Sequence, residues 1–162
     1  MRRFFAVLGA GFAGAASLSI LNEISRRLDP KAPRLELLGE RALATGLRRA
    51  GARRPRSTKL RRLGILSDLI ANSIVYGALF AGRPRPWRRG TLGGLVAGAA
   101  ALLAAPALGI DRRLRTAPAA TQLALARYIG AGLAASALYS GLAAERPRMD
   151  TQSLPISRAA LQ

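Results

Sequence analysis

Apolar residues in this chain are concentrated in four blocks separated by charged stretches. The blocks comprise residues 4–21, 63–80, 92–110 and 123–144. Each is long enough for a helix that crosses the hydrocarbon core of a bilayer, which takes about 17–25 residues. The pattern therefore predicts an all-α integral membrane protein, a four-helix bundle with four spans within residues 1–146. The polar residues 147–162 follow as a tail without periodicity.

A soluble helical bundle is the main alternative to this interpretation. Such a bundle would carry a charged face along each helix, repeated with the helical period of about 3.6 residues. The first and third blocks contain no charged residue, so they have no such face. We interpret the first block as a retained span rather than a cleaved signal peptide, because its apolar pattern continues through Leu21, Ile24 and Leu28.

The stretch between the first two spans has two parts. Residues 34–49 carry apolar residues on one side, which predicts an amphipathic helix in the headgroup region between spans 1 and 2. Residues 48–62 form a basic connector that has no aromatic residue to stack on bases, so anionic lipid headgroups or a protein partner are favoured over nucleic acid. Its candidate contact residues are Arg48, Arg49, Arg53, Arg54, Arg56, Lys59, Arg61 and Arg62.

Two ionisable residues lie inside predicted spans, Asp68 in the second and Arg127 in the fourth. Ionisable residues in a membrane are costly and usually face inward towards a partner. Both residues lie at a depth of about 6–7 Å inside the bilayer, measured from the same face with about 1.5 Å of helix rise per residue. We therefore predict an ion pair between them, which Asn22 and Glu23 at the end of the first span could join.

Asn72 and Tyr76 extend this polar stripe along the second span, four and eight residues beyond Asp68. In a structural interpretation, the cluster fixes how the helices pack, through the ion pair and interhelical hydrogen bonds. In a functional interpretation, Asp68 takes up a proton or cation, and Asn72 and Tyr76 line its path. A water-accessible cavity that reaches Asp68 would favour the second.

Small residues four apart indicate where helices approach closely. The third span contains Gly94 and Gly98, a G-x-x-x-G pair, and the fourth contains Gly132. In lipid, helices associate through close packing and hydrogen bonds rather than through the hydrophobic effect, so such residues mark interfaces. We expect these three glycines in a helix–helix contact, either within the chain or between subunits.

The charge of the chain bears on its orientation. The 26 Lys and Arg exceed the 8 Asp and Glu, for a net charge of +18. Four spans would put 16 of these basic residues on the face with the first and third connectors and 9 on the other. Basic loops stay in the cytoplasm, which favours a bacterial inner-membrane protein with a cytoplasmic first connector. Arg2 and Arg3 favour the opposite orientation.

The amino-acid composition excludes most of the side-chain chemistry that enzymes use. The chain has neither cysteine nor histidine, which excludes disulfides, thiolate nucleophiles, Cys/His metal sites and histidine relays. The G-A-G-F-A-G stretch at Gly9–Gly14 matches a dinucleotide fingerprint, but it lies inside an apolar span rather than after a strand. We expect no enzymatic activity, no cofactor and no metal.

Two segments, Asn22–Leu43 and Ser67–Tyr76, resemble segments of a family of small, uncharacterised bacterial four-span membrane proteins. The resemblance covers under a quarter of the chain and implies a four-helix membrane fold without an activity. We therefore expect a non-catalytic accessory or scaffold subunit that packs against lipid and other membrane helices, or against copies of itself. The alternative is a small oligomeric transporter or proton- or cation-coupled carrier that uses Asp68.

Overall fold

The computed structural model describes residues 1–29, 37–52, 55–81, 85–110 and 118–143, and within these ranges the chain forms helices and no strands. The all-α prediction is confirmed for this part of the chain. The five helices are α1 (Arg2–Leu28), α2 (Leu37–Arg49), α3 (Ser57–Phe80), α4 (Pro86–Ala107) and α5 (Pro118–Ala143).

The ends of α4 show how local sequence sets the helix bounds. Pro86 occupies the start of the helix, where its missing N–H would have no partner in any case. At the other end Gly109 has a φ of +66°, the left-handed conformation that commonly terminates a helix. The N–H of Ile110 then donates to the carbonyl of Ala105 at 2.9 Å. α4 thus begins six residues before the first residue of the predicted block and ends three residues before the last residue of that block.

Neighbouring long helices run antiparallel. Leu142 near the end of α5 lies beside Gly9 near the start of α1, while Asn22 near the end of α1 contacts Arg127 near the start of α5. α5 packs between α1 and α4, and α1 also packs on α3. The ends of α1 and α4 and the starts of α3 and α5 therefore share one face of the bundle, together with α2.

Many small side chains lie in the interior of the bundle beside a few large ones, and most of the large apolar side chains lie on its outside. Ala6 and Ala10 of α1 are fully buried, whereas Phe4 and Phe12 on the same helix are about 60% exposed. Large apolar side chains are likewise exposed along α3 and α4. A water-soluble protein buries its large apolar residues, so this arrangement suits a surface that faces lipid.

Glycines bring α4 and α5 into backbone contact. All three glycines predicted for helix packing, Gly94, Gly98 and Gly132, are buried where these two helices cross. A Cβ atom on Gly132 would collide with the carbonyl oxygen of Gly90, and one on Gly94 would collide with that of Tyr128. The glycines therefore form a contact within one chain.

Three helices in the described ranges, α1, α3 and α4, are long and apolar enough to cross a membrane. The fourth predicted span, residues 123–144, lies in α5, which is not among these three. Within the predicted span, Arg127 and several serines, tyrosines and glycines interrupt the run of strongly apolar residues. α5 also has eight buried residues, more than any other described helix.

The α4–α5 crossing yields a stability prediction. Gly132→Ala should lower the free energy of unfolding by about 1–3 kcal/mol, because the added methyl group has no space beside the backbone of Gly90. Gly141→Ala on the same helix is the matched control, since a Cβ there would meet no atom within 4 Å. Unfolding in mixed micelles, followed by circular dichroism, measures both variants. Equal losses would contradict this crossing.

Candidate functional site

A polar cavity lies at the face where α1 ends and α3 begins, and α2 forms one of its walls. α2 reaches this position because Gly39 and Gly64 let its backbone lie directly on α3. A Cβ atom on Gly39 would meet the carbonyl oxygen of Gly64, and one on Gly64 would meet the backbone of Glu40. The close crossing turns the start of α2 towards the first half of α3.

The polar cavity has a volume of about 510 Å³ and is lined by residues from three helices. Three of the eight acidic residues of the chain lie in its walls, although the chain as a whole is strongly basic. Two arginines and two further polar side chains accompany them. The lining comprises Ser19, Asn22, Glu23, Arg26, Leu37, Glu40, Arg61, Ile65 and Asp68.

The carboxylates of the cavity differ in their surroundings. Glu23 accepts hydrogen bonds from Arg26 at 2.6 Å and from Arg27 at 2.8 Å, one turn further along α1. These two arginines offset the charge of Glu23 locally. Glu40 and Asp68 come from α2 and α3 and face the cavity together with Arg61. The cavity can thus attract a cation or hold a proton, but it carries no nucleophile with an activating base.

Asp68 marks the deepest level that the polar cavity reaches along α3. The α3 residues in the lining are Arg61, Ile65 and Asp68, and Asp68 lies furthest from the start of the helix. Its side chain is neither fully buried nor fully exposed. Of the predicted polar cluster, the structure brings Asp68, Asn22 and Glu23 together in this one cavity.

Asn72 and Tyr76 lie outside the polar cavity. Asn72 donates through Nδ2 to the backbone carbonyl of Asp68 at 2.9 Å and lines a separate groove between α3 and α4. Tyr76 is fully buried, and its hydroxyl donates to the backbone carbonyl of Tyr128 at 3.1 Å. The predicted stripe therefore divides into a cavity residue, a groove residue and a core residue.

The predicted ion pair between Asp68 and Arg127 is not present. Among the described residues, the ion pairs within 4 Å join Glu23 to Arg26 and to Arg27. Arg127 is 3% exposed, and its NH1 donates to Oδ1 of Asn22 on α1 at 3.3 Å. The prediction matched the two residues by depth, but depth leaves the direction of a side chain open. α5 packs between α1 and α4, so Arg127 meets α1 rather than α3.

Sequence reasoning missed Glu40, Arg26 and Ser19 as cavity residues. Glu40 was not predicted as a cavity residue because α2 was expected to lie on the membrane surface, where its polar residues would face water. The signal that could have located it is the pair Gly39 and Gly64, whose small size permits a direct contact between α2 and α3.

The basic connector begins and ends at the same face as the polar cavity. Arg48 and Arg49 occupy the last turn of α2, and Arg56 immediately precedes α3. The basic residues of this stretch that the structure describes are exposed, and Arg61 also lines the cavity. Two further predicted contact residues, Arg53 and Arg54, lie outside the described residues.

No group of three or more acidic, cysteine or histidine side chains is arranged to hold a metal within the described ranges. The three carboxylates of the cavity thus do not form a ligand cluster.

Double-mutant cycles can separate the observed contact of Arg127 from the predicted one. Asn22→Leu combined with Arg127→Gln should show a coupling of at least about 0.6 kcal/mol in the free energy of unfolding, typical of interhelical hydrogen bonds in membranes. Asp68→Asn combined with Arg127→Gln should be additive within about 0.5 kcal/mol. A larger coupling in the second cycle would show that Asp68 and Arg127 do form the predicted ion pair.

Comparison with known proteins provides no relative from which a function could be transferred. No family model matches the chain, and neither a curated protein nor a solved structure is significantly similar to it. A function for the chain therefore has to follow from its own residues, packing and cavities.

Proposed function

We propose that this chain is a non-catalytic, four-span protein of the bacterial cytoplasmic membrane, an accessory or scaffold subunit that packs against lipid and other membrane helices. The observation that carries the proposal is the distribution of side-chain size. Alanines such as Ala6, Ala131 and Ala135 are fully buried, while three of the four phenylalanines and most of the isoleucines face outward, among them Phe4, Phe5, Phe12, Ile20, Ile24, Ile65, Ile70 and Ile74. Lipid or apolar partner helices are the surroundings in which this outer surface is stable.

In this proposal α5 is the fourth span. Its 26 residues extend about 39 Å at about 1.5 Å per residue, enough to cross a hydrocarbon core of about 30 Å. The buried Arg127 faces Asn22 rather than lipid, which reduces the cost of a charge within the span. The antiparallel contacts of α5 with α1 and α4 also fit four spans that alternate in direction.

α2 is the interfacial helix of this arrangement. It has no fully buried residue, and it lies across the face where α3 begins and α4 ends. The Arg41 guanidinium donates to the carbonyls of Leu108 and Gly109, which follow the last turn of α4. A helix held in this way can keep its apolar side against the bundle and lipid while its basic end meets anionic headgroups.

The orientation we propose has the basic connector in the cytoplasm. The larger share of Lys and Arg belongs to the face that carries α2 and the polar cavity. The polar cavity then opens towards the cytoplasmic side, and anionic lipid headgroups are the partners of the connector. Further membrane subunits, or copies of this chain, are the candidates for its outward apolar surfaces.

A small proton- or cation-coupled carrier is the second candidate function. The polar cavity favours it, because the cavity reaches Asp68 and none of the described arginines forms an ion pair with that carboxylate. Such a carrier would load Asp68 from the face that holds the connector.

The packing beyond Asp68 makes the scaffold the preferred candidate. Tyr76 and Phe80 are fully buried further along α3, and the ring of Phe80 stacks on that of Tyr139 with centroids 5.0 Å apart. None of the described residues at this level lines the polar cavity. A carrier would have to open this packed core to pass an ion to the opposite face.

Membrane topology tests the four-span proposal. The chain has no cysteine, so single cysteines at Ala52, Ala81 and Gln162 can each be labelled without background. A membrane-impermeant maleimide applied to intact spheroplasts should label Ala81→Cys and Gln162→Cys but leave Ala52→Cys protected. If α5 does not cross, Gln162→Cys will be protected as well. The inverse pattern would keep four spans and reverse the orientation.

Ion flux distinguishes the two candidate functions. Proteoliposomes containing the full chain and a pH-sensitive dye should show no proton flux above that of protein-free liposomes when a potential is imposed. Asp68→Asn, which keeps the size of the side chain, should behave identically. Flux that appears with the original chain and disappears with Asp68→Asn would replace the scaffold proposal with the carrier.

A further inference from the structure

A second cavity lies between α3 and α4 and is apolar. This lateral groove has a volume of about 640 Å³ and is lined chiefly by Val75 and Leu79 of α3 and by Leu92, Val96 and Ala97 of α4. Val96 is 67% exposed, so the groove is accessible from the side of the bundle. Its position on the flank of two helices that can span a membrane directs it towards lipid.

A basic pocket continues the lateral groove at the start of α4. This arginine pocket has a volume of about 490 Å³ and is lined by Arg85, Arg88, Arg89 and Leu92. Arg89 and Leu92 also line the lateral groove, so the two cavities adjoin. Arg89 is held in place by a hydrogen bond from NH1 to the carbonyl of Leu79 at 3.3 Å. None of the described residues in either lining is acidic, so one end of the combined site is basic and the rest is apolar apart from Asn72 and Tyr128.

The length of the lateral groove matches one leaflet of a bilayer. On α4 it extends from Leu92 to Ala101, a rise of about 14 Å at about 1.5 Å per residue. Half of a hydrocarbon core of about 30 Å is about 15 Å. The arginine pocket lies at the start of α4, where headgroups would be. Trp87, in the first turn of α4, is 52% exposed, as interfacial tryptophans commonly are.

We propose that the lateral groove and the arginine pocket together bind one anionic phospholipid. An acyl chain lies along the groove, and Arg85 and Arg88 bind the phosphate. The site rests on the membrane-embedded arrangement proposed above, and it lies at the opposite end of the bundle from the basic connector. Charge complementarity decides against a second copy as the occupant, because each copy carries a net charge of +18 and the same arginines at this place.

Trp87 makes the site directly observable, because it is the only tryptophan in the chain. The full chain is reconstituted in phosphatidylcholine vesicles. In one series these contain increasing fractions of phosphatidylglycerol with brominated acyl chains, and in the other series increasing fractions of phosphatidylcholine with brominated acyl chains. Bromine quenches tryptophan fluorescence at short range. We expect brominated phosphatidylglycerol to quench Trp87 at a mole fraction at least about tenfold lower than brominated phosphatidylcholine does, since each headgroup-level arginine contributes about fivefold.

Two variants remove the two halves of the site. Arg85→Gln with Arg88→Gln keeps Arg89 and its hydrogen bond to α3, and it should abolish the preference for phosphatidylglycerol. Ala97→Phe fills the groove and should reduce that preference without any change of charge. The matched control is Arg48→Gln with Arg49→Gln, which removes the same charge from the opposite end of the bundle and should leave the quenching of Trp87 unchanged.

Each remaining outcome identifies a different failure. Equal quenching by the two lipids, or an equal loss in the control variant, would overturn the lipid site while leaving the chain in the membrane. Absence of quenching by either lipid would overturn the membrane-embedded arrangement and the site with it. A Val96→Cys chain that oxidises to a disulfide-linked dimer in vesicles would show that a second copy occupies the groove and would also overturn the site.

Discussion

Backbone contact between α4 and α5 is the interaction on which the rest of the bundle depends. Gly90, Gly94 and Gly132 remove the side chains that would otherwise hold the two helices apart. Helices this close gain dispersion contacts along their whole length, which is the main attraction available between helices in lipid. Because α5 also packs on α1, it becomes the central helix of the bundle. The long helix that carries the buried Arg127 is thus also the one with the most buried residues.

The same close packing determines how the interior satisfies its polar groups. The Ser136 hydroxyl lies 2.8 Å from the carbonyl of Gly132 on its own helix and 3.0 Å from that of Pro86 on α4. Tyr76 donates to a carbonyl of α5 in a similar way. These contacts use backbone carbonyls rather than charged partners. They form a tightly packed layer between the polar cavity and the opposite face, which fits the proposed structural role better than conduction.

Hydrophobic blocks in the sequence predicted the helices, because a run of apolar residues alone identifies a segment that lipid can solvate. The bounds were less accurate: α3 and α4 each begin six residues before the predicted block, since basic residues near a headgroup region do not interrupt a helix. The partner of Asp68 was predicted from depth alone and was wrong. Which way Asp68 and Arg127 face depends on the order in which the helices pack, and that order follows from glycines spread over all the helices. Glu40 entered the cavity for the same reason.

The polar cavity and the lateral groove have a common origin in the position of α3. Gly11 and Gly77 let α3 approach α1, and Gly39 and Gly64 let it approach α2. On the side of α4 the glycine at the corresponding place, Gly93, meets the side chain of Leu79 instead of backbone. α3 is therefore drawn towards α1 and α2 and away from α4 and α5. The polar cavity is the space enclosed where α1, α2 and α3 converge at one face, and the lateral groove is the gap that α3 leaves beside α4. A carboxylate-lined cavity at one face and an arginine-ended groove towards the other thus follow from one asymmetry in the placement of glycines.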